Sequence, residues 1–382
     1  DFLPLSARPR RLWSVKSGFA TYAQREGFYA IQTLQPCESH GAIEISYDHA
    51  HCFISRFQMP DGCAIEASYD YRSLQPKRIT DPNGNVQEGL VNAFGQLLAS
   101  TFYGTENNNP VGFKPIGQFQ QPLIHSPTEA IRQGKDALQG AATAIYYAPF
   151  GWMGCVSQTA LTDTPWLARG VIKGDLLPSG HIRASARARL SNLETLSADD
   201  LKLKHEVEAC TREPVHIATL LADRYPDDSQ QQIHIAVTCF DGFGRSLQSK
   251  QRVESGLAYL VDAKGNLTLT DGKPGEQIVN ERWRVSERVE YNGKGLVVRI
   301  YRPYFADQHR YINDAALRPF AHCDQQFYDS LGRPTHTRLA KQNGISYMRR
   351  HTRHPWYTLD EDENDTLQEV MSDQTPPTGG AA

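Results

Sequence analysis

A chain of 382 residues with 40% hydrophobic side chains can fold, but it suits sheets with one wet face better than a thick layered core. Lys and Arg number 40 against 43 Asp and Glu, so a net charge of −3 offers no global basic field to recruit nucleic acid or an anionic membrane. No run of about 18 apolar residues exists, which excludes a helical membrane span.

The chain starts at Asp1 without a charged-then-apolar signal segment, and reads as a piece of a longer protein. Residues 1–35 form a lead with a basic cluster, Arg8-Pro9-Arg10-Arg11, which reads as solvated surface. Residues 36–105 then state one phrase twice. Ala42-Ile43-Glu44-Ile45-Ser46-Tyr47-Asp48 returns as Ala64-Ile65-Glu66-Ala67-Ser68-Tyr69-Asp70, and Val86–Asn92 stands in the same frame. Ile43, Ile45 and Tyr47 alternate with Glu44 and Ser46, the period of a half-buried strand. Turn signals with glycine accompany the copies, among them Asp61-Gly62, Gly84 and Gly95. Self-similarity at a period in the 20s predicts an array of β units, each too small to bury its own apolar face.

Residues 106–231 read as a loop-rich insertion with two short helices. Ser126-Pro127-Thr128-Glu129 carries the signs of a helix start over about 127–139, stopped by Gly140, and Ser197-Ala198-Asp199-Asp200 opens a second over about 198–212. Both are expected on the outside of the sheet.

The repeat resumes over 232–358. Gln232–Cys239 alternates and runs into Phe240-Asp241-Gly242-Phe243-Gly244-Arg245. Tyr291-Asn292-Gly293-Lys294-Gly295 and Tyr328-Asp329-Ser330-Leu331-Gly332-Arg333 follow. The shared pattern is an aromatic residue, Asp or Asn, two variable residues, Gly, then often Arg. Asp or Asn bonds backbone two residues on, and Gly supplies the positive φ that returns the chain as a hairpin. Tyr47, Asp48, Tyr69 and Asp70 are turn-formers by the same logic, not catalysts. Residues 359–382 form an acidic, then Pro/Gly-rich tail.

Sharper chemistry finds little support. Seven cysteines without a CxxC read as small buried apolar residues rather than a disulfide framework. His49 and His51, placed on one strand face near Cys52, Cys37, His40 and Cys63, lack a second ligand pair of zinc-site order. Asp360-Glu361-Asp362-Glu363 lacks the spacing of a calcium loop and reads as solvated. No GxSxG, HExxH or phosphate-binding loop occurs, so neither an enzyme nor a cofactor or metal is expected.

The Tyr-Asp-x-Leu-Gly-Arg phrase at about 20-residue spacing resembles the YD repeats of Rhs proteins. Three longer phrases narrow the likeness: Asp70–Pro76 leading to Asp81–Glu88, Asp223–Asp228 leading to Asp241–Arg245, and His354-Pro355-Trp356-Tyr357 leading to Glu361–Thr366. Together they resemble the C-terminal, SpvB-like part of the B component of bacterial insecticidal toxin complexes, the Tc toxins.

That resemblance implies an all-β fold in which strand–turn–strand units spiral into part of a hollow β-cocoon. It implies a structural role, enclosing the cytotoxic end of the C component before delivery through the A-component pore. A-component docking belongs in that family to an upstream propeller, and self-cleavage to aspartates of the C component. Neither is carried onto this chain. The resemblance also implies synthesis in the bacterial cytoplasm and action in a released complex. A YD-repeat shell of another polymorphic toxin, or a YD-repeat adhesion or carbohydrate-binding protein, is the alternative. Free strand edges predict that the isolated chain aggregates.

Overall fold

A computed structural model describes residues 18–37, 39–120, 126–192, 196–262, 265–286, 288–312, 323–340 and 345–374. The basic cluster at Arg8–Arg11 and the Pro/Gly-rich tail after Gln374 lie outside them. Strands hold 42% of the residues, and the fold class is all-β. The chain divides into two compact units.

The first unit comprises Asp1–Leu123, Leu138–Ala144 and Leu221–Gln232. Its strands are β1 (Phe19–Tyr22), β2 (Ile31–Gln35), β3 (Ile43–Tyr47), β4 (Ile54–Gln58), β5 (Ala64–Asp70), β6 (Gln75–Thr80), β7 (Val86–Val91), β8 (Leu97–Glu106) and β9 (Asn109–Gly112). Each pairs antiparallel with the next, a meander that starts before residue 36 and runs past 105. The start of β10 (Thr143–Ala148) adds to β8, with Ala144 opposite Ala99.

The alternation in the duplicated phrase sorts the two faces. Ile45, Phe57 and Ile65 stand opposite one another across β3, β4 and β5. On the other face Ser46 meets Arg56 and Arg56 meets Glu66, whose side chains pair at 2.6 Å. Such exposed ion pairs add about 0–1 kcal/mol each, so the sheet depends on its strand pairing and apolar rows. Ala99, Ile116 and Ala141 pack a small core, with Leu90 and Phe119 against them.

The second unit comprises Ile124–Ala137, Ile145–Leu220 and Ile233–Ala382. Among the described residues five helices precede most of its strands, where the sequence announces two: α1 (Pro127–Leu138), α2 (Gln158–Asp163), α3 (Pro165–Ile172), α4 (Ala184–Asn192) and α5 (Ala198–Ala209). The two announced starts are capped as expected. Ser126 Oγ accepts the Glu129 N–H at 3.2 Å, and Ser197 Oγ accepts the Asp200 N–H at 3.1 Å. The others escape a periodicity search because each spans three turns or fewer. They depend on tertiary packing: Val156, Leu161, Leu167, Leu176, Ile182, Leu190, Leu203 and Val207 form a core of their own. Residues 151–210 are therefore a helical module, not loops with helices laid on a sheet.

Strands β11 (Val215–Ala222), β12 (Ile233–Phe240), β13 (Ser246–Val253), β14 (Gly256–Tyr259), β15 (Leu269–Thr270), β16 (Lys273–Pro274), β17 (Glu276–Val279) and β18 (Arg282–Ser286) follow. Then come β19 (Val289–Tyr291), β20 (Val297–Tyr301), β21 (Tyr304–Ala306), β22 (Cys323–Tyr328), β23 (Pro334–Arg338), β24 (Met348–Arg353) and β25 (Thr358–Glu361). β13 pairs with both β12 and β18, and β18 with β21. β19, β20, β22, β23, β24 and β25 form a second antiparallel sheet in that order. Sheet pairing thus extends through Glu361, beyond residue 358. The alternation read in Gln232–Cys239 places Ile235, Val237 and Cys239 in the interior. Val261, Leu267, Val285, Tyr301, Tyr304, Ala306 and Ile312 form a hydrophobic cluster, with Tyr259 and Cys323 packed against it. After the acidic stretch the chain forms a further helix, α6 (Leu367–Gln374), where a tail is expected from sequence.

Candidate functional site: the stapled turns

The repeat motif builds one turn geometry several times. At Asp241 the backbone N–H bonds the Arg245 carbonyl at 3.0 Å, and the Gly244 N–H returns to the Asp241 carbonyl at 3.1 Å. Asp241 Oδ1 accepts the N–H of Phe243 at 2.8 Å and of Arg245 at 2.9 Å, while Arg245 Nε donates to Oδ2 at 2.6 Å. Asp329 repeats this with Leu331 and Arg333, at 2.9, 2.9 and 2.7 Å. Asn292 does so with Lys294 and Leu296, both at 3.0 Å. The glycines that close these turns stand at φ 79° (Gly244), 78° (Gly295) and 81° (Gly332), a region costly for a residue with a Cβ. In the first unit Asp81 with Gly84 and Asn92 with Gly95 make the same closure.

Except at Asp81, the residue before the acid or amide sits at a register shift. The break falls at Cys239/Phe240, Glu290/Tyr291 and Phe327/Tyr328, and likewise at Ser46/Tyr47, Ser68/Tyr69 and Leu90/Val91. A bulge at that point re-aims the aromatic ring out of the simple alternation.

The phrase that is most similar in sequence makes a different turn. After Tyr47-Asp48 no glycine follows, and His51 takes φ 54° in its place, with Asp48 Oδ1 accepting the N–H groups of Cys52 (2.7 Å) and Phe53 (3.0 Å). After Tyr69-Asp70 it is Leu74 at φ 58° that turns the chain, and Asp70 Oδ1 accepts the Arg72 N–H at 2.9 Å. His49 and His51 therefore lie in a turn, not on the strand face read from sequence, because Asp48 ends β3.

These bonds fix the protonation of the acids. The Phe53 N–H, then the Tyr71 hydroxyl, hold Asp48 below the usual carboxylate range, and the Arg72 N–H and guanidinium do the same for Asp70. The Arg333 N–H and guanidinium lower Asp329. At Asp241 partial burial pushes upward, and the bonds from Arg245 outweigh it. Ionised carboxylates suit turn-holding and leave none of these groups poised as a general acid or base at neutral pH.

Successive turns are joined to each other, which the motif does not announce. Tyr291 Oη donates to the Ser246 carbonyl at 2.9 Å, Tyr328 Oη to the Val297 carbonyl at 2.7 Å, and Tyr69 Oη to the Ile54 carbonyl at 3.0 Å. In each case the acceptor is the residue that leaves the preceding turn. Arg245 also lies 4.3 Å from the centroid of the Tyr291 ring. Its guanidinium thus holds its own turn through Asp241 and the next through the ring. Lys294 Nζ reaches the Ser330 carbonyl at 3.0 Å. The only hint of this in the sequence is that the position before the acid prefers a tyrosine. At the tips, Phe94, Phe243 and Leu331 occupy equivalent positions and are 88%, 86% and 75% exposed.

The other residues weighed from sequence go elsewhere. Cys37 Sγ lies 3.1 Å from Ser39 Oγ and 2.8 Å from His40 Nδ1; the Ser39 contact first, then that of His40, draws its thiol down to about 7, whereas bonding to Asp61 raises Cys63. All seven cysteines are free thiols. No group of three or more His, Cys, Asp or Glu that could hold a metal occurs among the described residues. The acidic stretch is ion-paired across β24 and β25: His351 with Asp360 at 2.6 Å, Arg349 with Glu363 at 2.5 Å, and Arg350 with Glu361 at 3.7 Å. No described helix is long and apolar enough to cross a membrane.

No protein-family model and no curated protein matches the chain. Solved structures do. The crystal structure of TcdB2-TccC3-Cdc42 matches 92% of the chain at 30% identity and a TM-score of 0.79. TcdB2-TccC3 without its hypervariable C-terminal region matches 93%, also at 30% identity and 0.79. The Photorhabdus luminescens Tc holotoxin pore matches 97% at 28% identity and 0.79. The chain spans only 16–17% of the length of these three chains. Its stapled turns and strand meanders are, over more than nine-tenths of its length, similar to a segment of the chains that build Tc toxin complexes.

Proposed function

We propose that this chain is part of the B component of a Tc toxin and forms a section of the Rhs-repeat cocoon. There it encloses the cytotoxic C-terminal region of the C component until the A-component pore delivers it. The observation that carries this reading is the match of 92–93% of the chain, at 28–30% identity, to the TcdB2-TccC3 chains. The turn ladder supports it physically. Hairpins joined through tyrosine hydroxyls and carbonyls need no thick core, so a sheet of this kind can wall a cavity. The role is containment rather than catalysis, and the complex acts after release from the bacterium.

The experiment is co-expression of the full-length polypeptide that carries this chain with a C component, followed by limited proteolysis. Survival of the C component's variable tail only in the complex is the expected result. Failure of the two proteins to associate, or equal digestion of the tail with and without the partner, removes the enclosing role. A YD-repeat adhesion or carbohydrate-binding function then takes its place.

A further inference from the structure

The second unit buries a polar centre that the turn ladder does not use. Lys250, on β13, is 2% exposed, and its Nζ donates to the carbonyls of Gln308, at 3.0 Å, and Arg310. Gln248, fully buried on the same strand, accepts the Ile312 N–H at 3.2 Å. Asp307 Oδ1 accepts the Val261 N–H at 3.2 Å, and Arg310 Nε meets Glu213 Oε1 at 3.0 Å. Beyond the bond from the Asp307 N–H to the Tyr259 carbonyl at 3.1 Å, segment 307–312 is thus pinned by side chains.

His309 sits in the middle of that segment. Its Nε2 lies 3.4 Å from Thr128 Oγ1 on α1, and its ring is 5.6 Å from the indole of the fully buried Trp283. The titratable groups around it are mostly basic: Lys250 from β13, His216 from β11, Arg132 from α1 and Arg310 from its own segment. Facing them are the carboxylates of Glu213 and Asp307, and the neutral thiol of Cys239 from β12. A proton on His309, which is only partly open to water, adds positive charge among mostly basic neighbours.

We propose that this centre is an acid-sensitive latch: protonation of His309 in mild acid releases segment 307–312 from β13 and α1. Burial, reinforced by Lys250, draws His309 down to about 4, and burial raises the Asp307 carboxyl. A histidine whose folded value is depressed binds its proton more readily once the segment opens. The stabilisation from neutral His309 is therefore complete above 6.5, is lost as pH falls from 6.5 towards 4, and falls no further below that. Lys250, drawn down to about 7 by burial, loses its own contribution between 10.5 and 7. The latch is thus already weakened when His309 begins to titrate.

Hydrogen–deuterium exchange of the full-length polypeptide, corrected for intrinsic rates, reads the latch between pH 7.5 and 4.5. Protection over 307–312 and α1 falls about tenfold per pH unit below 6.5, the slope for one proton, while β3–β8 stay protected. His309→Gln, which keeps a hydrogen-bonding side chain but does not titrate, reduces that slope at least threefold. Constant protection down to pH 4.5, an equal slope in H309Q, or simultaneous loss of protection everywhere overturns the proposal. Should H309Q not fold, C2–H exchange of His309 in the unsubstituted protein decides. A midpoint near 4 supports the latch, and one near 6.5 sinks it.

Discussion

The hydroxyl of Tyr291 donates to the carbonyl of Ser246 at 2.9 Å, across 45 residues of chain. That bond ties the strand entering one turn to the strand leaving another, and its ring also takes the guanidinium of Arg245. Tyr291→Phe isolates the hydroxyl, because the ring and its cation stay in place. The expected loss is about 1 kcal/mol by urea denaturation, and Tyr291→Ala should cost clearly more. Equal losses for the two variants would show that the hydroxyl carries all of the coupling.

Two glycines at positive φ, Gly244 in a turn and Gly112 at the end of β9, separate strain from crowding. A Cβ at Gly244 would meet nothing within 4 Å, so Gly244→Ala should cost only the conformational penalty, about 1–2 kcal/mol. At Gly112, also at positive φ, a Cβ would stand 2.6 Å from Tyr103 Cα, and the backbone cannot yield. Gly112→Ala should therefore lower the thermal midpoint further than Gly244→Ala. The reverse order would show that this closing geometry is not the one adopted in solution.

Asp241→Asn tests what the carboxylate adds beyond the turn itself. Asn292 already makes the same two backbone contacts with an amide oxygen, so the asparagine variant should keep the hairpin and lose only the Arg245 pair. Asp241→Ala should cost about 1–2 kcal/mol, and Asp241→Asn less than half of that. Because Asp81, Asp241 and Asp329 are all depressed below 3.8, their contribution is complete above that pH and disappears as pH falls further. Acid unfolding should show this late phase below the window of His309, and D241N should remove part of it.

Leu190 is 1% exposed in the core shared by the helices of residues 151–210. Leu190→Ala should destabilise that module by about 2–5 kcal/mol. If the module is a cooperative unit of its own, hydrogen exchange in α3, α4 and α5 will accelerate while the β3–β8 meander keeps its protection. Uniform acceleration would instead make the helices part of a single folding unit.

The strands and their faces were legible because they rest on local alternation, as the rows Ile45–Phe57–Ile65 and Ile235–Val237–Cys239 show. The two capped helix starts were legible for the same reason: a serine and an N–H three residues on need nothing distant. α2, α3 and α4 were not, because their stability comes from Leu167, Ile182 and Leu190 meeting across the module. The motif acids could be read as turn-formers, whereas the tyrosine staples join residues far apart in sequence. The near-identity of 42–48 and 64–70 even misleads, since the residues that decide each turn, His51 and Leu74, lie just outside the matching phrase.

In the turns at Asn92, Asp241, Asn292 and Asp329 the two central positions contribute almost nothing to closure beyond one backbone N–H. Their side chains are Ala93 and Phe94, Gly242 and Phe243, Gly293 and Lys294, Ser330 and Leu331. Scaffold and display are thereby written in separate letters of the same short word. Mutation can exchange a phenylalanine for a lysine at a tip while acid, glycine and tyrosine stay fixed, so such an array can acquire new neighbours without having to find a new fold.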